Sequence, residues 1–215
     1  MAVLKFFFVL LAVLCYFLSS LFFWPLLRTR PYQTKIYLNK VCSFYSKILL
    51  KILNVNINLP PTASPSSALI VSNHLGYLDV LVLASRLKCS FVTSEDMRRT
   101  PFLGQICSLA GCLFVDRKSR KNIRAEVADI VGGLNKGMNV GLFPEATSTN
   151  GEYVLKFKRS MFQAAVLSES PVLPLTLNYR TIDGSPTFEG NRDYVCWYGD
   201  MPFFSHLWSL CKVKE

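Results

Sequence analysis

The chain has 215 residues, of which 51% are hydrophobic and 13% are aromatic, and it carries a formal net charge of +10. This length and apolar content suffice for one compact domain with an appendage, and they exclude a disordered chain. The positive charge indicates an anionic partner, which leaves nucleic acid, an anionic membrane surface and phosphorylated substrates as the classes to distinguish.

The N-terminal segment favours the membrane among these partners. Residues 6–27 contain no charged side chain, and a run of this length can cross a hydrocarbon core about 30 Å thick. Bulky residues continue up to the basic flank, where a signal peptide would have a small-residue cleavage site, so we predict a retained transmembrane anchor over residues 1–30. Lys5 precedes the span and an excess of cations follows it, which predicts that the following domain lies on the cytoplasmic side of a cell inner membrane. The following cations are Arg28, Arg30, Lys35 and Lys40.

A basic amphipathic segment over residues 31–60 is the next predicted element. Two interpretations of it stay open: a helix packed on its own domain, and an interfacial helix with its apolar face in the headgroup boundary and its lysines toward anionic lipid. A proline- and serine-rich connector, residues 56–67, leads to the domain proper, which we place at residues 61–215. The residues at helical spacing are Ile36, Val41, Phe44, Ile48, Leu49 and Ile52, accompanied by Lys35, Lys40, Lys47 and Lys51.

Short apolar runs alternate with helical patterns throughout the domain. Helical patterns occupy residues 122–137 and 157–169, and this alternation predicts an α/β domain with a mostly parallel central sheet flanked by helices. The five runs with the length and composition of strands are ALIVSN from residue 68, CSFVTS from 89, CLFVDR from 112, NVGLFPE from 139 and VLPLTLNYR from 172. Ligands of such sheets bind beyond the carboxyl ends of the strands. The reactive or charged residues at these ends are His74, Asp116, Arg117 and Glu145.

His74 is one of two histidines in the chain and follows the first predicted strand. Asn73 beside it can cap a following helix, and Asp79 comes five residues later. Five residues rotate an ideal helix by about 140°, so the pair meets only if His74 lies in the turn and Asp79 in the first helical turn. A carboxylate on one imidazole nitrogen would leave the other nitrogen to take a proton from a hydroxyl. On spacing alone, a capping aspartate beside a hydrogen-bonded loop histidine is the simpler interpretation.

Four blocks in a fixed order resemble the glycerolipid acyltransferase family, typified by 1-acylglycerol-3-phosphate acyltransferase. NHLGYLD (73–79) resembles the NHx4D motif of that family, and LFPEATST (142–149) resembles its FPEGTRS block. GCLFVDR (111–117) resembles its second block and PVLPLTL (171–177) its fourth, proline-containing strand. The membrane helix and the basic helix that we predict are also typical of this family.

The resemblance implies an O-acyltransferase of phospholipid biosynthesis. It would move a fatty acyl group from acyl-CoA or acyl carrier protein to the free hydroxyl of a lysophospholipid, first of all 1-acyl-sn-glycerol-3-phosphate. His74 would be the general base and Asp79 its orienter, with no covalent acyl-enzyme, because an alcohol attacks slowly until its proton is removed. No metal and no cofactor beyond the acyl thioester are implied.

The resemblance also implies that the second and third blocks hold the acyl acceptor. By its chemistry Arg117 is a bidentate partner for phosphate, whereas Lys118 and Arg120 are expected to be solvated charges. The predicted substrate-binding residues are Asn73, Arg117, Glu145, Thr147 and Lys158.

The chain departs from the FPEGTRS block at two positions, Ala146 and Ser148. A cation expected to hold the acceptor phosphate is therefore missing at residue 148. Either another cation replaces it, or the acceptor is a lysolipid with a phosphodiester or amino-acid headgroup. The candidate replacements are Lys156, Lys158 and Arg159.

Three other functions remain open at this point. A non-catalytic, membrane-tethered lipid-binding protein would keep the anchor without needing both His74 and Asp79, and a hydrolase would use the same base with water. Nucleic-acid binding would fit the charge, but no nucleic-acid module is recognisable, so we expect no such partner. His206 lies between apolar neighbours and is expected to pack in a C-terminal helix. The seven cysteines lack CxxC or zinc spacing and are predicted to be reduced thiols.

Overall fold

The structure is a computed structural model that describes residues 1–27, 29–58, 66–116 and 123–214. Arg117, a predicted substrate-binding residue, lies outside the described residues. So do Lys118, Arg120 and most of the predicted connector.

Helices and strands alternate along the described chain as the sequence predicts. The helices are α1 (Ala2–Leu21), α2 (Pro31–Leu53), α3 (Tyr77–Leu87), α4 (Glu95–Arg99), α5 (Leu103–Leu109), α6 (Ile123–Asn135), α7 (Gln163–Leu167) and α8 (Phe203–Lys212). The strands are β1 (Leu69–Ser72), β2 (Cys89–Ser94), β3 (Leu113–Val115), β4 (Asn139–Leu142), β5 (Val172–Leu175), β6 (Thr181–Ile182) and β7 (Ser185–Pro186). Short 3-10 helices cover Trp24–Leu27, Arg159–Phe162 and Arg192–Tyr194.

A five-stranded parallel sheet in the order β3-β2-β4-β1-β5 forms the centre of the fold. Each of its strands lies within one of the five predicted runs, which confirms the α/β prediction. β1 lies between β4 and β5, with Ile70 opposite Gly141 and Leu173. Every residue of β1 and β4 is buried, as expected for parallel strands that are covered on both faces.

Helices cover the two faces of the sheet. Leu69, Val71 and their neighbours pack against Val127 and Ile130 of α6, together with α7. Ile70 and the residues beside it pack on the opposite face against α3 and α2. The carboxyl ends of β1 and β4 are therefore held between two rigid layers, which fixes the positions of the turns that follow them.

The first helix differs from the predicted uncharged span. α1 begins at Ala2, includes Lys5 and ends at Leu21, before the proline of the 3-10 helix. The ammonium group of Lys5 donates to the carbonyl of Val213 at 2.8 Å. This hydrogen bond gives the charged group a polar partner although it lies on an apolar helix. Pro25 prevents α1 from continuing, because proline has no N–H to donate to the carbonyl four residues earlier and its ring clashes with that carbonyl. α1 therefore lies within the predicted anchor segment, residues 1–30, although it begins before the uncharged run and ends inside it.

α1 lies along the domain and contacts α2, α5 and α8. The Tyr16 hydroxyl donates to the Ile106 carbonyl at 3.0 Å, and Val9 and Ala12 join a core shared with α3 and α8. Among the described residues, α1 is the one helix whose length and composition allow it to cross a membrane, with a mean hydropathy of 2.4.

α2 packs on its own domain, which is the first of its two open interpretations. Its buried face contains small and polar residues as well as leucines, and the Ser43 hydroxyl donates to the Ser85 carbonyl of α3. The apolar face predicted from spacing is wrong in part, since Phe44 is 59% exposed. Small side chains such as Ser43 and Ser46 let α3 approach closely, which the hydrophobic spacing does not indicate.

Candidate active site

His74 and Asp79 meet at the carboxyl end of β1. His74 lies in the turn after the strand and Asp79 in the first turn of α3, the arrangement under which the two can touch. The imidazole Nδ1 lies 2.9 Å from Asp79 Oδ2. Because Nδ1 donates to a carboxylate, the neutral ring carries its acceptor lone pair on Nε2. The His74 side chain is 21% exposed, and no described residue forms a hydrogen bond with Nε2, so this nitrogen can serve as an acceptor.

Asp79 is fully buried and both of its oxygens accept hydrogen bonds. Oδ2 accepts from the backbone amides of Leu75 at 2.5 Å and Gly76 at 2.9 Å, in addition to His74. Oδ1 accepts from the Tyr179 hydroxyl at 2.6 Å. The same carboxylate therefore caps α3 and orients the imidazole. The capping role and the orienting role that its spacing suggested are both present.

Aromatic rings fix the plane of the imidazole. His74 stacks on Phe143 with 3.9 Å between ring centroids and 13° between planes. Phe143 follows β4 and stacks in turn on Phe91 of β2. The carbonyl of His74 also accepts from the Thr149 amide at 3.0 Å. The histidine is therefore held by its ring face, by Nδ1 and by its backbone, and only Nε2 is left for chemistry.

Gly76 is required by the close approach of another segment. A Cβ at this position would lie 2.8 Å from the backbone nitrogen of Trp197. That nitrogen donates to the carbonyl of Leu75 at 2.8 Å, so the two segments cannot separate without losing this hydrogen bond. The glycine of NHLGYLD thus allows Trp197 to lie against the turn that carries His74.

Asn73 does not cap α3, contrary to the expectation from its position. The N-cap residue is Gly76, and the Asn73 side chain turns instead to the segment after β5. Its amide nitrogen donates to the Leu177 carbonyl at 3.0 Å and its oxygen accepts from the Leu177 amide at 2.8 Å. Substrate binding by Asn73 stays a prediction, but both polar atoms of its amide already have backbone partners.

The other described candidates surround the loop after β4. Glu145 is 4% exposed, and its Oε2 accepts from the Leu155 amide at 2.9 Å, which closes the loop on itself. Ala146 has a φ of 64°, a left-handed conformation that favours the glycine of FPEGTRS. Thr147 and Lys158 have exposed side chains, and the Lys158 amide donates to the Pro144 carbonyl. Their contact with substrate, like that of Glu145, stays a prediction.

The region that contains the four blocks is similar to known proteins. A sequence model of the family described as Acyltransferase matches residues 54–178, well over half of the 215 residues. The chain belongs to the acyltransferase family. This confirms the resemblance that the four blocks carry.

Individual relatives of this acyltransferase-family chain agree. A 1-acyl-sn-glycerol-3-phosphate acyltransferase of Neisseria gonorrhoeae is 28% identical over 163 residues, which are 76% of this chain and 62% of the relative. A lyso-ornithine lipid O-acyltransferase of Rhodobacter capsulatus is 30% identical over 174 residues, which are 79% of this chain and 60% of the relative. The chain spans less than two thirds of the length of these curated relatives.

A solved structure shares the fold. The crystal structure of the 1-acyl-sn-glycerophosphate acyltransferase PlsC from Thermotoga maritima has a TM-score of 0.59 and 23% sequence identity. The match covers 80% of this chain and 71% of that one. At this identity the likeness bears on the fold, and it agrees with the parallel sheet described above.

His206 has a structural environment within the family domain. Its Nε2 donates to the Cys196 carbonyl, 3.1 Å away, and its Nδ1 accepts from the Tyr77 hydroxyl at 2.9 Å. Burial lowers the pKa of His206 below its usual 6.5, so the ring is neutral at pH 7. Burial, together with the charge of Asp79, raises the pKa of the Cys196 thiol to about 12. A thiol of that pKa is a poor nucleophile at neutral pH.

Sequence reasoning missed Tyr179, which donates to Asp79, and Phe143, which stacks on His74. Phe143 is in the FPEGTRS-like block, but nothing in its position indicates that it stacks on the imidazole. Tyr179 lies 100 residues from Asp79 along the chain. Tyr179 lies near the end of the fifth predicted strand, and β5 pairs with β1. A correct prediction of this strand order would therefore have placed Tyr179 near the turn that carries His74.

Proposed function

We propose that this chain transfers an acyl group from an acyl thioester to the free hydroxyl of a lysolipid in phospholipid biosynthesis. One observation carries the proposal: His74 Nδ1 contacts Asp79 Oδ2 on a side chain that is partly exposed. The family membership and the names of the relatives support it.

The residues support a direct transfer. His74 Nε2 takes the proton of the acceptor hydroxyl while the oxygen attacks the thioester carbon. Asp79 stabilises the imidazolium that forms, because its Oδ2 already lies on Nδ1. The new carbon–oxygen bond forms, the carbon–sulfur bond breaks, and the thiolate takes up the proton. No acyl-enzyme is involved.

Transfer by the purified chain tests the proposal. The full chain in phospholipid micelles would receive labelled acyl-CoA or labelled acyl-loaded acyl carrier protein with a series of lysolipids, beginning with 1-acyl-sn-glycerol-3-phosphate, and the acylated lipid would be measured. We expect a labelled diacyl product with at least one donor. Absence of product with both donors and every lysolipid would contradict the proposal and favour a non-catalytic lipid-binding protein.

The loop that follows β4 bears on the acceptor headgroup. After the Thr149–His74 bond this loop reaches Glu152, whose Oε1 lies 3.2 Å from Arg192. Arg192 also donates to the Asn150 carbonyl. A paired cation and anion suit a headgroup that carries both charges, and Ser148 supplies no cation of its own. We therefore propose 1-acyl-sn-glycerol-3-phosphate as the first acceptor to test and a zwitterionic or phosphodiester lysolipid as its rival.

We predict that the enzyme accepts lysolipids without a terminal phosphomonoester. A panel of 1-acyl-sn-glycerol-3-phosphate, lysophosphatidylethanolamine and lyso-ornithine lipid would give kcat/KM for each. Ser148→Arg restores the family cation and should raise the preference for the phosphomonoester by about tenfold, the value of one charge-assisted contact. Val166→Arg on exposed α7 is the control for added charge, and it should leave the preference unchanged. Activity restricted to the phosphomonoester would contradict the prediction.

We also propose attachment to a cell inner membrane with the domain on the cytoplasmic side. α1 presents an exposed apolar face that includes Phe7, Leu14 and Leu18, at 58%, 54% and 61% exposure. The outward face of α2 adds cations to this surface, which suits anionic lipid. These exposed residues of α2 are Lys40, Phe44, Lys47 and Lys51.

Flotation with lipid vesicles tests this attachment. We expect the chain to float with phosphatidylcholine vesicles, and more fully when phosphatidylglycerol is added. Replacing Phe7, Leu14 and Leu18 by serine should lower the bound fraction at least about tenfold, because three large apolar side chains no longer leave water. Val166→Ser with Leu167→Ser removes exposed apolar surface on α7 as a control. Equal loss in both variants would contradict a specific role for α1.

A further inference from the structure

The segment after β5 is tied to the turn that carries His74 at two points. The first is Asn73, whose amide makes two hydrogen bonds with the backbone of Leu177, at 3.0 and 2.8 Å. The last paired residues of β1 and β5 are Ser72 and Leu175. The Asn73 side chain therefore extends this pairing by one more rung and fixes the path of the chain beyond β5.

The second point lies two residues further on, at Tyr179. Its hydroxyl donates to Asp79 Oδ1 at 2.6 Å, while Oδ2 of the same carboxylate faces His74. Burial and the charge of Asp79 raise the pKa of the Tyr179 hydroxyl well above its usual 10. The hydroxyl therefore keeps its proton and acts as a donor across the working pH range.

We propose that Asn73 and Tyr179 are positioning residues that act as one unit: Asn73 places the segment, and Tyr179 holds Oδ1 so that Oδ2 stays on His74. This inference rests on the proposed function. The χ2 torsion of an aspartate is broad, so a carboxylate held by one oxygen alone can turn away from the imidazole. Small misplacements of a catalytic base reduce rates strongly.

In this proposal, the asparagine of NHLGYLD positions another segment of the protein and does not bind substrate. Both lone pairs of Asn73 Oδ1 are used, by the Leu177 amide and the Ser72 hydroxyl, and one N–H of Nδ2 donates to the Leu177 carbonyl, so the amide mainly serves the protein's own backbone. Loss of Asn73 should therefore slow the chemical step and leave the affinity for the acceptor unchanged.

Kinetics of single and double variants test the unit. We expect Tyr179→Phe and Asn73→Ala each to lower kcat by about 10- to 100-fold, with KM for both substrates within about twofold of wild type. The double variant should be no slower than the slower single variant, because either change breaks the same unit. Tyr77→Phe is the matched control, since it removes a hydrogen-bonded tyrosine hydroxyl that faces His206 instead. It should leave kcat unchanged.

The histidine signals give a readout that does not need activity. The chain has two histidines, so a His206→Gln variant assigns both rings in an NMR spectrum of the protein in detergent. Tyr179→Phe and Asn73→Ala should shift or broaden the Nδ1 proton of His74, and Tyr77→Phe should affect only His206.

Three kinetic results would overturn the inference. They are wild-type kcat in Tyr179→Phe, a raised acceptor KM with unchanged kcat in Asn73→Ala, and losses that multiply in the double variant. An unshifted His74 signal in both single variants would also overturn it. If the wild-type chain transfers no acyl group, the proposed function fails, and the NMR comparison still decides whether the unit exists.

Discussion

Replacement of His74 by alanine is expected to lower the rate of acyl transfer by about 10²- to 10⁴-fold, the usual contribution of a general base. The fold should survive the change. Asp79 keeps its bonds to the Leu75 and Gly76 amides and to Tyr179, so no buried charge loses all of its partners. The activity loss should therefore come without a comparable loss of stability.

Initial rates and unfolding temperatures of the same preparations check this expectation. Wild type and His74→Ala would be purified in one detergent and assayed with saturating donor and acceptor. The melting temperature should fall by only a few degrees, as for a change of about 1 kcal/mol. A variant that keeps near-full activity would remove His74 from the mechanism.

Asp79→Ala is expected to lower both transfer and stability. The carboxylate is fully buried and accepts from two backbone amides, a tyrosine hydroxyl and the imidazole. Alanine leaves those donors without an acceptor, and each unsatisfied buried group costs about 1–3 kcal/mol. We expect the free energy of unfolding to fall by at least about 3 kcal/mol.

Asp79→Asn separates the charge from the hydrogen bonds. An asparagine oxygen at the Oδ2 position can still accept from Leu75, Gly76 and His74, and its nitrogen can donate to the Tyr179 oxygen. Stability should therefore fall less than in the alanine variant. Transfer should still fall about 10²-fold or more, because the imidazolium loses its anionic partner. Denaturant unfolding and initial rates of the two variants, compared with wild type, check both statements; an alanine variant as stable as wild type would contradict the buried network.

The sheet could be predicted from the sequence because its strands are local signals. Each strand is a short apolar run bounded by turn residues. Helical patterns lie between the runs, and strands connected through helices pair in parallel. The contact between His74 and Asp79 could also be predicted, since a turn followed by a first helical turn is the one local geometry that brings them together.

Contacts between distant segments were beyond the sequence. Asn73 was expected to cap α3, but Leu177, 104 residues away, offers both a donor and an acceptor to its amide. Lys5 was placed before the apolar span, but it lies within α1, and carbonyl groups at the ends of α2 and α8 accept from its ammonium group. In α2, small and polar residues such as Ser43 and Ser46 share the buried face with leucines, whereas Phe44 of the regular apolar spacing is exposed. In each case tertiary packing outweighed the local pattern.

Thiol release and acyl-lipid formation, followed together in one reaction, test the central claim most directly. Wild type and His74→Ala would each be mixed with acyl thioester, with and without the lysolipid. Direct transfer assisted by His74 predicts that wild type releases one thiol for each acylated lipid, only when the lysolipid is present, and that both products form about 10²- to 10⁴-fold more slowly with His74→Ala. Thiol release by wild type without any acceptor would identify a hydrolase, and equal lipid formation by His74→Ala would contradict the account.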